Sequence, residues 1–119
     1  VDGMVVIGGD GSLTGAHLLA TETGIPVIGL PGTIDNDIPI VDYSFGFNTA
    51  CEVADRMIQA AFVEATSAVN GVGLVKLMGR HSGFIARNAC IANANVDFCL
   101  IPELPFELRG PKGLFSQIA

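Results

Sequence analysis

Apolar residues in this chain fall in short unbroken runs, separated by longer stretches in which apolar and polar positions alternate in threes and fours. Met4-Val5-Val6-Ile7 is the first run, closed by Gly8-Gly9, and it predicts a buried strand leaving a sheet through a glycine turn. Ser12 is placed to cap a helix from Leu13 to about Glu22, with Thr23-Gly24 as its stop. The run from Pro26 to Leu30 predicts a second strand, so residues 1–30 read as one βαβ unit whose crossover is expected to be right-handed. A loop follows from Pro31 to Pro39, then a less regular stretch to Gly46.

From Phe47 the period changes. Phe47, Ala50, Cys51, Ala54, Ile58, Ala61, Phe62 and Ala65 form one helical stripe, expected to pack on the sheet, with Glu52 and Arg56 as an i,i+4 pair on its polar side and Asn70-Gly71 as its close. Val72 to Leu77 predicts a third strand. Ser82 is expected to cap a helix running through Ala94, Asp97 to Ile101 to form a fourth strand, and Lys112 to Ala119 to begin a further helix after a loop from Pro102. Strands alternating with helices predict an α/β fold: a parallel, Rossmann-like sheet with helices on both faces.

Composition narrows this picture. With 119 residues, 50% of them hydrophobic, the chain can build a core as a single unit over residues 1–119. It opens on Val1-Asp2-Gly3 just before a strand and stops at Gln117-Ile118-Ala119 inside a predicted helix, which suggests part of a larger enzyme domain. Twelve acidic residues against six basic ones give a formal charge of −6 without basic runs, so neither nucleic acid nor an anionic membrane is an expected partner. Cys51, Cys90 and Cys99 are odd in number and, with His17 and His81, show no metal-ligand spacing. They read as idle thiols of a reducing compartment. No apolar run approaches the ~20 residues of a membrane span, so a cytoplasmic protein is expected.

The candidate chemistry lies in the loops after the strands, where open α/β sheets place their ligands. Gly8-Gly9-Asp10-Gly11-Ser12 joins a strand to a helix, and its glycines and free amides suit a phosphate. A carboxylate in such a turn repels the ligand unless a metal lies between them, so Asp10 points to a Mg²⁺-nucleotide. A dinucleotide fingerprint would need an acidic residue closing the second strand, where this chain has Leu30-Pro31-Gly32.

The second loop carries Thr33, Asp35 and Asp37, which would also suit an ordinary Asx turn. Grouped at a strand end in the same sheet as Asp10, they suggest a catalytic loop. One carboxylate can take a proton from a substrate hydroxyl while the other, with Asp10, handles a divalent cation. In the third loop, Met78-Gly79-Arg80-His81, Arg80 could stabilise a phosphoryl group in transfer, and Lys76 is a weaker candidate for a phosphate contact. His17 and His81 read as structural.

These three segments, Gly8-Gly9-Asp10-Gly11-Ser12, Pro31-Gly32-Thr33-Ile34-Asp35-Asn36-Asp37 and Met78-Gly79-Arg80-His81-Ser82-Gly83, resemble in order and spacing those of the 6-phosphofructokinases. The resemblance spans nearly the whole chain. It implies a phosphofructokinase-type fold, ATP and fructose 6-phosphate as substrates, Mg²⁺ as cofactor and a homo-oligomeric full-length protein.

Position by position, it implies that Asp35 is the base for the sugar's 1-hydroxyl and that Asp10 is the Mg²⁺ carboxylate, with Asp37 supporting the metal. Gly9, Gly11 and Ser12 match the nucleotide-phosphate turn. Thr33, Met78, Gly79 and Arg80 match the sugar-phosphate and transition-state contacts. Pyrophosphate-dependent relatives typically carry Asp at the position of Gly11 and Lys at that of Gly32, so glycine at both favours ATP. The segment Lys76 to Ala86 looks most like the plant, protist and pyrophosphate-type branch. An arginine that short bacterial forms bring to the sugar phosphate has no counterpart in Asn70-Gly71-Val72-Gly73, and Glu103 lies near a position that faces their effector site. A pyrophosphate-dependent enzyme and a catalytically silent regulatory homologue are the alternatives. The upstream and downstream parts of the family's site are missing from the sequence, so these 119 residues alone are expected to be inactive.

Overall fold

The computed structural model describes residues 1–118. Strand β1 (Met4–Gly8) leads into helix α1 (Asp10–Thr23), which returns the chain to strand β2 (Val27–Pro31). The strands pair in parallel, Met4 opposite Val27 and Gly8 opposite Pro31. Gly24 ends α1 in a left-handed conformation with its N–H on Ala20 O, as its position after the last helical turn predicts. Gly29 lets the helix sit close: a Cβ there would come within 2.9 Å of Leu13 Cδ2. By strand alternation, Val5, Ile7, Ile28 and Leu30 occupy the other face of the sheet, and all four are exposed.

Helix α2 (Phe47–Thr66) and helix α3 (Phe84–Ala92) form the second packing unit, and helix α4 (Leu114–Ile118) ends the described chain. The core consists of Phe47, Ala54 and Ile58 from α2 against Ile85 and Ala89 from α3, with Ile34, Val75, Leu77 and Val96 packed around it. Glu52 and Arg56 make the expected exposed ion pair. The thiols are free; burial, then a hydrogen bond and charge contact with Cys99, pushes Cys90 up to about 12. The molecule measures 64 × 30 × 18 Å with a radius of gyration of 19.1 Å, against roughly 13–14 Å for a compact domain of this length.

Several local expectations are corrected. The stripe on α2 meets α3 rather than the sheet, and α1 is the helix that packs on β1 and β2, so among the described residues one sheet face is uncovered. Residues 72–77 and 97–101 are not strands. Gly71 and Gly73 press the first of these segments against the end of α2, where a Cβ on Gly71 would fall 2.0 Å from Ala65 O. Val75 and Leu77 then turn onto the core while Val72 and Leu74 face outward. The alternation of a strand is there, but among the described residues no neighbouring edge supplies its ladder.

Helix α2 stops at Thr66, four residues before Asn70, and α3 stops at Ala92. Helix α4 begins at Leu114 rather than Lys112, and Ala119 lies outside the described residues.

Candidate active site

Asp35 is held from three directions, each traceable to the chain around it. Pro31 ends β2, and Gly32 continues the pairing with its N–H on Gly8 O at 3.0 Å. Thr33 Oγ1 accepts the Asp35 N–H at 3.2 Å, and Ile34 anchors the loop in the α2–α3 core. The Ser82 hydroxyl donates to Asp35 O at 2.9 Å. Arg80 Nε and Nη2 both donate to Asp35 Oδ2 at 3.3 Å. The arginine side chain is 74% exposed and that of Asp35 11%. So open a pair adds less than about 1 kcal/mol of stability, and its effect is to orient.

The turn that carries Arg80 depends on its glycine. Ser82 N–H closes it on Gly79 O at 2.8 Å. Gly79 has φ 139°, and a Cβ there would meet Ser82 O at 2.3 Å. Arg80 itself is left-handed, φ 52°, a conformation uncommon outside glycine. Ser82 does not cap α3 as its position suggests, because its hydroxyl is taken by Asp35. Gly83 is the N-cap and donates its N–H to Glu103 Oε1 at 2.7 Å. Glu103 thus fixes the start of α3 from 20 residues away. Met78, next to this turn, is exposed, as is Lys76.

The turn after β1 is open. Helix α1 starts at Asp10 with Gly9 as N-cap and no side-chain hydrogen bond at the cap. Ser12 therefore lies inside the first turn instead of capping it, tight against Gly8, where a Cβ would fall 2.5 Å from Ser12 Cβ. Asp10, Gly11 and Ser12 are exposed, and nothing lies within 4 Å of a Cβ built on Gly11. Gly9 reaches the second loop, a Cβ there being 3.4 Å from Thr33. Gly32, by contrast, packs on Ile7, with 2.6 Å between a Cβ and Ile7 Cγ2. A Cβ at 32 would thus press on the exposed Ile7, whereas one at 11 would meet nothing.

Asp37 lines a cleft of about 430 Å³ together with Asn36, Asp42, His81 and Glu103. Its Oδ1 is buried without a hydrogen-bond partner. A buried carboxylate oxygen left unpaired is costly unless a cation or proton donor completes it. Among the described residues no three His, Cys, Asp or Glu gather as a ready-made metal cage. Mg²⁺ needs none, since it is commonly held by one or two carboxylates with water and substrate phosphate. The orphaned oxygen of Asp37 suits such an ion, whereas Asp10 stands exposed in the turn after β1 and does not line this cleft.

The structure thus joins Thr33, Asp35 and Arg80, brings Gly9 beside Thr33, and leaves Asp10 and Asp37 free of side-chain bonds among the described residues. Sequence reading missed Ser82, Glu103 and Ile34 as supports, since their contacts with the loop are not local. It also missed Asn36, whose signal was available: an asparagine between two acids, in a segment rich in turn formers.

A strand-end acid oriented by an arginine, beside a glycine turn open to an anion, can accept a proton from a hydroxyl while anionic charge is balanced next to it. Such a constellation suits phosphoryl transfer. A family model described as Phosphofructokinase matches residues 1–118, and the chain belongs to that family. It is 57% identical over 99% of its length to the ATP-dependent 6-phosphofructokinase 1 of Arabidopsis thaliana, covering 26% of that protein. It is 53% identical over 99% to the same plant's chloroplastic ATP-dependent 6-phosphofructokinase 4, covering 23%, and 52% identical over 99% to the ATP-dependent 6-phosphofructokinase of Amycolatopsis methanolica, covering 27%. The chain spans about a quarter of the length of these relatives.

Proposed function

We propose that the protein carrying this chain transfers the terminal phosphate of ATP to fructose 6-phosphate, giving fructose 1,6-bisphosphate. The observation that carries this reading is the buried Asp35, held by Thr33, Ser82 and Arg80 at the end of β2. In this reading Asp35 Oδ1 or Oδ2 takes the proton of the sugar's 1-hydroxyl as its oxygen attacks the phosphorus. Arg80, 74% exposed beside Asp35, stabilises the charge of the phosphoryl group. Thr33, Met78 and Gly79 line the sugar-phosphate side. The amides of Gly9, Gly11 and Ser12, at the start of α1, receive the nucleotide phosphates. Asp10 and Asp37 would hold Mg²⁺, which supplies positive charge to the phosphate oxygens when bound.

ATP as donor is supported by the glycine at position 11 and by the relatives, which are named ATP-dependent 6-phosphofructokinases. The chain then acts as part of a larger catalytic domain, in a homo-oligomer and in the cytoplasm; a plastid location, as the name of the chloroplastic relative gives for that protein, is the outcome that a fluorescent fusion would distinguish. Among the described residues no helix is long and apolar enough to cross a membrane. In a coupled assay of the full-length protein, turnover with ATP is expected to exceed that with pyrophosphate. Equal or faster turnover with pyrophosphate overturns the choice of donor, and absence of turnover with both overturns the catalytic reading.

A further inference from the structure

In an extended segment, residues two apart lie on the same face. Asp35 and Asp37 do not behave in that way. Asp35 is buried with its carboxylate on Arg80, whereas Asp37 lines the 430 Å³ cleft with Asp42, His81 and Glu103, a cleft of which Asp35 is not part. Between them Asn36 has φ 53°. Asparagine is one of the few L-residues that adopts this left-handed conformation readily.

Three of its side chain's four hydrogen-bonding positions are used. Oδ1 accepts the Ser44 N–H at 2.7 Å and the Ser44 hydroxyl at 3.1 Å, and Nδ2 donates to Asp42 O at 3.1 Å. The amide orientation follows from its partners, because a backbone N–H needs an acceptor and a carbonyl needs a donor. Ser44 is buried, 5% exposed, and next to it Phe45 N–H bonds Pro31 O at 2.8 Å. The loop from Pro31 to Phe45 is thereby closed on itself, with Asn36 as its inner tie.

We infer that Asn36 is the positioning residue of this loop: its left-handed backbone, locked by three hydrogen bonds to Asp42 and Ser44, separates Asp35 from Asp37 and so divides the proton-accepting carboxylate from the metal-side one. The inference rests on the reading of Asp35 as base given above. Other residues meet only part of the requirement. Glycine keeps the turn and loses the ties. Aspartate keeps both acceptors for Ser44, loses the donor to Asp42 and adds a third carboxylate between two others.

The test uses the full-length protein with Asn36→Gly. Loss of the tie is read from faster hydrogen exchange of the Ser44 amide. The expected kinetic result is a kcat about a hundredfold lower, the scale of a small misplacement of reacting groups, with KM for both substrates within a few-fold of wild type. A kcat within threefold of wild type alongside the faster exchange overturns the inference. If that variant does not fold, Asn36→Asp replaces it: a kcat lowered at least tenfold supports the positioning role and a wild-type kcat overturns it. Asp35→Asn in the same assay keeps the two readings apart. Wild-type turnover there overturns the base assignment whatever Asn36 does, whereas a collapsed Asp35→Asn beside an unaffected Asn36→Gly overturns only the inference about Asn36.

Discussion

The turn after β1 and the turn after β2 stand side by side, with Gly9 against Thr33, and they are built in opposite ways. The second is closed: Asp35 is held through its N–H, its carbonyl and its carboxylate, and Ile34 sits in the core. The first is open: Asp10, Gly11 and Ser12 are exposed, without side-chain hydrogen bonds at the cap. The difference suits the roles proposed for the two turns. A group that moves a proton gains from being placed before the substrate arrives. A turn that receives a multiply charged phosphate gains from leaving its amides and space unclaimed.

The sharpest way to break this contrast is Asp35→Asn in the full-length protein. Its amide oxygen can still accept from Arg80, so the melting temperature is expected to stay within a few degrees of wild type. Loss of the base lowers kcat by roughly 10²–10⁴-fold. A variant with wild-type kcat would reduce the closed turn to architecture.

Gly32→Ala comes next, because it places a methyl 2.6 Å from Ile7 Cγ2 on the closed side. Because Ile7 is 69% exposed and can shift, the cost is about 1 kcal/mol, the low end of overpacking, read as a lower urea midpoint. An unchanged midpoint would show that this turn yields easily.

On the open side Gly11→Asp meets no steric obstacle, and an acid in the first helical turn is mildly favourable, within about 1 kcal/mol. Its expected effect is on the ligand alone: kcat/KM for ATP falls about tenfold by like-charge repulsion while the unfolding curve stays in place. A variant that unfolds earlier but keeps its ATP kinetics would reverse the assignment of the two turns.

Much of this contrast can be read in the residues themselves. The βαβ unit is encoded locally, by an apolar run, a glycine turn, a helix closed by Gly24 and a second apolar run, so its elements appear within a few residues of where they are expected. Asp10 and Asp35 stand out by charge and by position at strand ends, and Arg80 as the lone base of its loop. What stays hidden is competition at a distance. Ser12 and Ser82 both look like helix caps, because a serine before an apolar stripe usually is one. The Ser82 hydroxyl instead serves Asp35, 47 residues away, and Glu103 takes its place at the helix start. Residues 72–77 and 97–101 fail for a related reason: alternation can specify an extended segment, but a ladder needs a partner edge that local pattern does not provide.

Gly79 carries a last consequence, for the reading of natural variation. A change from glycine to alanine is commonly scored as mild, and this position binds no ligand through a side chain. Yet one added methyl would collide with the carbonyl of Ser82 and require a backbone angle that alanine resists. It would displace together the guanidinium and the hydroxyl that hold Asp35. An allele with that single methyl belongs with substitutions of the acid itself, although nothing in its chemical character says so.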